Sequence, residues 1–110
     1  MVESHLDSTF RALADPTRRG MLASLALGDK SIGELGEPFQ MSFAGASKHV
    51  KVLESAGLVE RRKAGRRQIC RLKAEPLAEA NAWLGQWEKF WSDRLDRLQA
   101  MIDSDRDIGQ

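Results

Sequence analysis

The chain has 110 residues, 42% of them hydrophobic and 30% charged, with 17 Lys or Arg balanced by 16 Asp or Glu. That length points to one domain, spanning 1–110, with a modest core. No apolar run approaches the roughly 20 residues of a membrane span, and a single cysteine, Cys70, excludes an intrachain disulfide. The N-terminal MVESHLDSTF lacks the apolar stretch of a signal peptide, so the chain is expected in the cytoplasm.

Leu6, Phe10 and Leu13 recur at i, i+4 and i+7, which predicts a short amphipathic helix from about Ser4 to Ala14. Asp15-Pro16 then punctuates the chain: Asp is a good N-cap, and Pro in the first turn forfeits only an amide that has no partner there. The second helix is expected over Pro16 to Leu27, burying Met21, Leu22 and Leu25 and stopping at Gly28. Ser31 with Glu34 three residues on has the spacing of a capping box, opening a short third helix that buries Ile32 and Leu35.

After the brief link Gly36 to Gln40, Ser42 caps a fourth helix. Ala46, Val50 and Leu53 form its buried face, while Ser42, Phe43, Ala44, Ser47, Lys48 and Lys51 lie away from it. Short helix, tight turn and second helix, over about 31–56, is helix-turn-helix order. Gly57 ends the fourth helix, Leu58 and Val59 open a strand, Ala64-Gly65 is the expected two-residue turn, and Arg67 to Leu72 returns. The hairpin thus occupies about 58–73.

Glu75-Pro76 opens the longest predicted helix, about 76–103, with a polar tail from Ser104 to Gln110 expected to fray. At 1.5 Å per residue such a helix spans ~42 Å, more than a small domain needs. Leu77, Ala80, Leu84, Trp87, Trp91, Leu95, Leu98 and Ile102 are spaced three or four apart along it, and Trp83, Phe90 and Met101 widen the stripe. A monomer would leave much of this stripe in water, so a second copy is expected to cover it. Leu6, Phe10, Leu84, Trp87, Trp91, Leu95 and Leu98 are the expected interface, with Trp83 and Phe90 closer to the domain body.

Charge is segregated. Residues 41–74 hold nine Lys or Arg against two Glu, a net +7, while residues 1–40 carry −2 and residues 75–110 carry −4. Such a patch fits a polyanion-binding surface, although a solvated basic hairpin without a partner has the same composition. The helix in front of the hairpin favours the first reading.

Other chemistry is sparse. Cys70 alternates with Leu72 on a strand and reads as a small buried hydrophobe. His49 lies at the edge of a core face, where a structural or phosphate-bonding role fits better than metal ligation. Asp103, Asp105 and Asp107 open like a calcium loop, but no twelfth-position Glu follows. No nucleophile-base pair, phosphate-binding glycine loop or metal-spaced Cys/His cluster is visible, so no enzyme, cofactor or metal site is expected.

RALADPTRRGML (11–22), SKHVKVLESAGLVERRKAGRR (47–67) and, more loosely, the long helix resemble the ArsR/SmtB family of winged-helix transcriptional repressors, over roughly residues 5–102. The resemblance implies a mainly α fold of five helices with a small β-hairpin wing. It also implies a dimer through the first and last helices and binding to double-stranded DNA. WEKFWSDRLDRLQAMI looks like a subgroup without metal ligands. Metal-sensing members place paired cysteines on the third helix, where this chain has SIGELGEPFQM, and others use Asp and His on the last helix, which here has no histidine. Recognition helices of the family often carry Gln-Pro where Phe43-Ala44 stand, which bears on the target sequence rather than on the binding mode.

On that reading Phe43 and Ala44 offer apolar contact to thymine methyls and Lys48 a donor to guanine. Ser42, Ser47 and Lys51 suit phosphates. Lys63, Arg66 and Arg67 at the wing tip, then Arg61 and Arg62, suit the backbone or minor groove. Arg71, near the hairpin base, suits solvent. An unidentified small-molecule or protein effector is left open, and a dimeric interaction module that kept the fold without the DNA is the alternative.

Overall fold

The computed structural model describes residues 5–108, with side chains described as far as residue 105. Ser4, the expected start of the first helix, and the last two residues of the expected tail, Gly109 and Gln110, lie outside the described residues. Two compact units are present, one reaching to Ala80 and one starting at Asn81.

In the first unit, α1 (His5–Leu13) and α2 (Pro16–Leu25) are followed by a two-residue strand β1 (Lys30–Ser31) and a short α3 (Ile32–Gly36). A 3-10 turn (Glu37–Phe39) leads to α4 (Phe43–Ser55), then β2 (Val59–Ala64) and β3 (Arg67–Leu72). The sheet is antiparallel in the order β1-β3-β2, with Lys30 opposite Cys70 and Val59 opposite Leu72. The expected two-stranded wing is therefore anchored by a third, very short strand.

Local chemistry explains the element boundaries. The Asp15 carboxylate accepts the amides of Thr17 at 2.8 Å and Arg18 at 3.2 Å, with Pro16 in the first turn of α2. These bonds, the one from Arg18 first among them, hold its carboxyl below the usual range despite some burial. Ser31 and Glu34 form the reciprocal capping box: Glu34 N–H donates to the Ser31 hydroxyl at 3.2 Å, and Ser31 N–H to the Glu34 carboxylate at 2.8 Å. At the end of α4, Gly57 (φ 76) donates to the Glu54 carbonyl and Leu58 to that of Leu53, both at 3.0 Å. This is the two-bond ending that requires a left-handed residue.

The core of this unit gathers Met21, Leu22 and Leu25 of α2, Ile32 and Leu35 of α3, Ala46, Val50 and Leu53 of α4, and Leu58, Val59 and Cys70 of the hairpin. The two helices of the helix-turn-helix approach closely because Gly36 lacks a side chain. A Cβ there would stand 2.8 Å from the Ala46 Cβ. Leu77 packs against this core and Ala80 is buried, so these two positions of the expected dimer stripe serve their own fold.

Four expectations need correction. The first helix turns Thr9 and Ala12 to the core and leaves Leu6 and Phe10 half-buried, because the Thr9 hydroxyl donates to the His5 carbonyl at 2.9 Å and is thereby satisfied inside. The wing turn lies at Gly65-Arg66, one residue later than expected, since Ala64 pairs with Arg67. Gly65, at φ 64, supplies the positive φ that tight hairpins need. The long helix is two: α5 (Glu75–Gly85) and α6 (Glu88–Ile108), giving six α-helices among the described residues rather than five. Around Gly85 the ladder tightens to three-residue bonds, Gln86 N–H to Trp83 and Trp87 N–H to Leu84, as expected where glycine weakens helix continuity. The expected fray from Ser104 is instead helix as far as Ile108.

The second unit carries the end of α5 and all of α6. Within it the aromatic side chains form an edge-to-face ladder: Trp83 to Trp87 at 6.2 Å, Trp87 to Phe90 at 6.4 Å and Phe90 to Trp91 at 5.7 Å between centroids. The Arg94 guanidinium lies 4.7 Å from the Phe90 ring centre. Leu84, Trp87, Trp91, Leu95, Leu98, Met101 and Ile102 are all exposed.

Candidate nucleic-acid interface

The fourth helix sets one half of the candidate surface. The Ser42 hydroxyl accepts the Gly45 amide at 3.1 Å, which fixes the first turn. Burial of Ala46, Val50 and Leu53 then dictates what faces out. Phe43 is 62% exposed, an unusual place for a large aromatic without a partner. With Ala44, Gly45, Ser47, Lys48 and Lys51 it lines a shallow hollow of about 520 Å³ along the outer face of α4.

The wing sets the other half, and here the ion pairs sort the basic residues. The Arg61 guanidinium reaches back to the Glu54 carboxylate of α4 at 2.7 Å, a bond that raises its pKa above the ordinary arginine value. Arg67 bonds to Glu34 at 3.1 Å, Lys73 lies 3.6 Å from Glu60, and Arg71 lies 3.8 Å from Asp29. Arg71 is exposed to solvent as expected, with the Asp29 carboxylate beside it. Among the described residues, Lys48, Lys51, Arg62, Lys63 and Arg66 have no carboxylate within ion-pairing distance. All five are exposed, and they lie either on the outer face of α4 or at the wing tip. Of the eleven residues expected to touch DNA, the structure engages Arg61 and Arg67 internally and leaves the other cations open.

Behind the candidate surface lies a brace that no local sequence pattern reveals. Arg18 of α2, largely buried, donates from Nε to the Ala12 carbonyl at 2.8 Å and from Nη2 to the Arg11 carbonyl at 3.1 Å. Its Nη1 lies 3.3 Å from His49 Nδ1 on α4. A guanidinium only donates, so Nδ1 is the acceptor and the imidazole carries its proton on Nε2. Three helices are tied at one side chain, and of the two roles expected of His49, structural or phosphate-bonding, this contact is the structural one. Arg18→Ala should cost about 1–3 kcal/mol by leaving these acceptors without their partner. Arg18→Lys should fail to restore stability, because an ammonium lacks the planar fork. Urea unfolding of the three proteins checks this.

Cys70 is fully buried, and burial pushes its thiol pKa up, as for an inert core residue. Among the described residues, no three His, Cys, Asp or Glu side chains are grouped to hold a metal ion. No described helix is long and apolar enough to cross a membrane.

Known proteins share this architecture. A helix-turn-helix domain family matches residues 13–62. The HTH-type transcriptional regulator Rv2034 of Mycobacterium tuberculosis is 38% identical over 101 residues, covering 92% of each chain. The transcriptional repressor SdpR of Bacillus subtilis is 29% identical over 72% of this chain and 88% of its own. Among solved structures, an ArsR family transcriptional regulator superposes with a TM-score of 0.74 at 37% identity, over 81% of this chain and 98% of that one. A homodimeric winged helix-turn-helix DNA-binding domain from Mycobacterium bovis superposes with a TM-score of 0.61 at 26% identity, over 84% and 83% of the two chains.

Proposed function

Because the chain belongs to the ArsR family of winged helix-turn-helix transcriptional regulators, we propose that it is a cytoplasmic repressor that binds an inverted-repeat operator as a homodimer, its 110 residues acting as one winged helix-turn-helix module. The observation that carries this reading is the sorting of charge. Of the nine cations in residues 41–74, the five without a carboxylate partner among the described residues lie on the outer face of α4 and at the wing tip, where a duplex would meet them. The first turn of α4 enters the major groove, with Phe43, Ala44 and Lys48 toward base edges and Ser42, Ser47 and Lys51 toward phosphates. Arg62, Lys63 and Arg66 hold the backbone or the adjacent minor groove. Arg61 and Arg67 join them only by giving up Glu54 and Glu34.

Dimerisation is supported by the homodimeric state of the Mycobacterium bovis domain and by the exposed apolar stripe of α6. Two copies paired there, with Leu6 and Phe10 as the smaller contribution, would present their recognition helices to successive major grooves about 34–36 Å apart. The protein is also proposed not to sense metals. A soft-metal site needs several thiolate or imidazole ligands at about 2.0–2.3 Å from the ion, and the one cysteine is buried in the hairpin.

Anisotropy titrations with the protein's own upstream DNA and a random duplex, each at two salt concentrations, test this. Tighter, steeply salt-dependent binding to the upstream DNA is expected, unaltered by Zn²⁺, Cd²⁺, Cu⁺ or arsenite. Salt-independent or absent binding would favour an interaction module instead. A stoichiometric submicromolar metal site that shifts DNA affinity would overturn the metal-free reading.

A further inference from the structure

A second concavity, of about 340 Å³, lies between α1 and α4. Ser8 and Arg11 line it from α1, and Lys48, Lys51, Val52 and Ser55 from α4, with Ala56 beside them. Three cations and two hydroxyls face this space and none of its lining residues is acidic, which is the donor set for a small oxyanion. Lys48 and Lys51 also line the hollow on the outer face of α4, so the two spaces are contiguous at these side chains. A duplex that takes the first turn of α4 into its major groove must carry its backbone past both lysines. The walls are held together from behind, since Arg18 bonds to the carbonyls of Arg11 and Ala12 on α1 and to His49 on α4.

We propose that this concavity holds one backbone phosphate of the bound duplex, making Ser8 and Ser55 phosphate-contacting residues and α1 a third DNA-contacting element beside α4 and the wing. The inference rests on the DNA-binding reading above. A phosphodiester suits the site because its single negative charge meets Lys51 and Arg11, with Lys48 at the shared edge turned toward the base edges, and its free oxygens accept from hydroxyl, ammonium and guanidinium donors alike. The contact carries no sequence information. It fixes how far along the groove α4 sits.

The test places charge at Ser8, in the early turns of α1, where a carboxylate is compatible with the helix. Ser8→Glu is expected to weaken binding to upstream and random duplex alike by about tenfold near 0.1 M salt, and to flatten the plot of log K against log salt by ~0.9. Ser8→Arg is expected to strengthen binding to both, a reversal that a purely structural role would not produce. Ala23→Glu, an equal charge change at an exposed position of α2 outside the proposed surface, controls for net charge and should shift affinity by less than about threefold. Wild-type affinity in both Ser8 variants, or an equal loss in Ala23→Glu, would overturn the α1 site while leaving the DNA reading standing. No duplex binding by the wild-type protein would overturn both.

Discussion

Replacing Lys63 and Arg66 together by alanine should weaken binding to the operator and to random duplex by a similar factor. The two are exposed at the wing tip and have no carboxylate partner among the described residues, so nothing inside the protein competes with a phosphate for them. Each lost phosphate contact removes ~0.9 from the slope of log K against log salt, which corresponds to roughly tenfold in affinity per contact near 0.1 M. Lys48→Ala should behave differently, costing about 1–3 kcal/mol of discrimination at one base pair of each half-site if its ammonium reads guanine. Anisotropy titrations across a salt series, on the operator and on single-base variants of it, measure both. A double wing variant with an unchanged slope would remove the tip from the binding surface. Equal losses on every sequence for Lys48→Ala would make it another phosphate contact.

The ion pairs sharpen which arginines belong in that experiment. Arg67 is bonded to a Glu34 oxygen that also accepts the Ser31 amide, so one carboxylate both caps α3 and restrains the wing. Alanine at Arg67 would therefore release a latch as well as remove a cation, and its effect on DNA binding would be smaller than that of Arg66. Arg61 is further withdrawn, being only 22% exposed and bonded to Glu54 on α4.

What could be read from the sequence was the chemistry that acts within a few residues. The caps at Asp15, Ser31 and Ser42 and the stop at Gly57 each satisfy orphan amides or carbonyls of their own helix, and all four stand as expected. The buried face of α4 followed from spacing alone. What escaped depends on partners far along the chain. Arg18 meets His49 31 residues away, and Arg67 meets Glu34 at a separation of 33, pairings that no local pattern encodes. The break near Gly85 escaped for another reason. The apolar spacing runs through it from Leu84 to Trp87 and Trp91, so periodicity reads one helix where glycine allows the ladder to tighten into a turn. In α1 the eye follows Leu6 and Phe10, yet Thr9 goes inside because its hydroxyl can be satisfied by its own helix. That exchange leaves two large apolar side chains of α1 only half-buried.

Trp91→Ala should loosen the homodimer and weaken operator binding together, without changing which bases are preferred. Trp91 is 60% exposed in the isolated chain and ends the aromatic ladder that runs through Phe90 and Trp87. Leu95 and Leu98, 63% and 55% exposed, continue the apolar surface along α6. So large a hydrophobic surface is rare on a protein that works alone. A large aromatic near the centre of a two-fold interface commonly contributes at least ~2 kcal/mol, which is about thirtyfold in the dimer dissociation constant. Trp87→Ala should act in the same direction. Trp83 is expected closer to the domain body than Trp87, and the two are equally exposed, at 44%. The Trp83→Ala variant therefore decides whether the interface reaches back into α5. On the proposed function operator binding would be linked to dimerisation, because one dimer would hold both half-sites, while Phe43, Ala44 and Lys48 are left untouched. Sedimentation equilibrium measures the first effect and half-site against full-site titrations the second. A wild-type protein that sediments as a monomer at micromolar concentration, and binds each half-site independently, would rule the arrangement out.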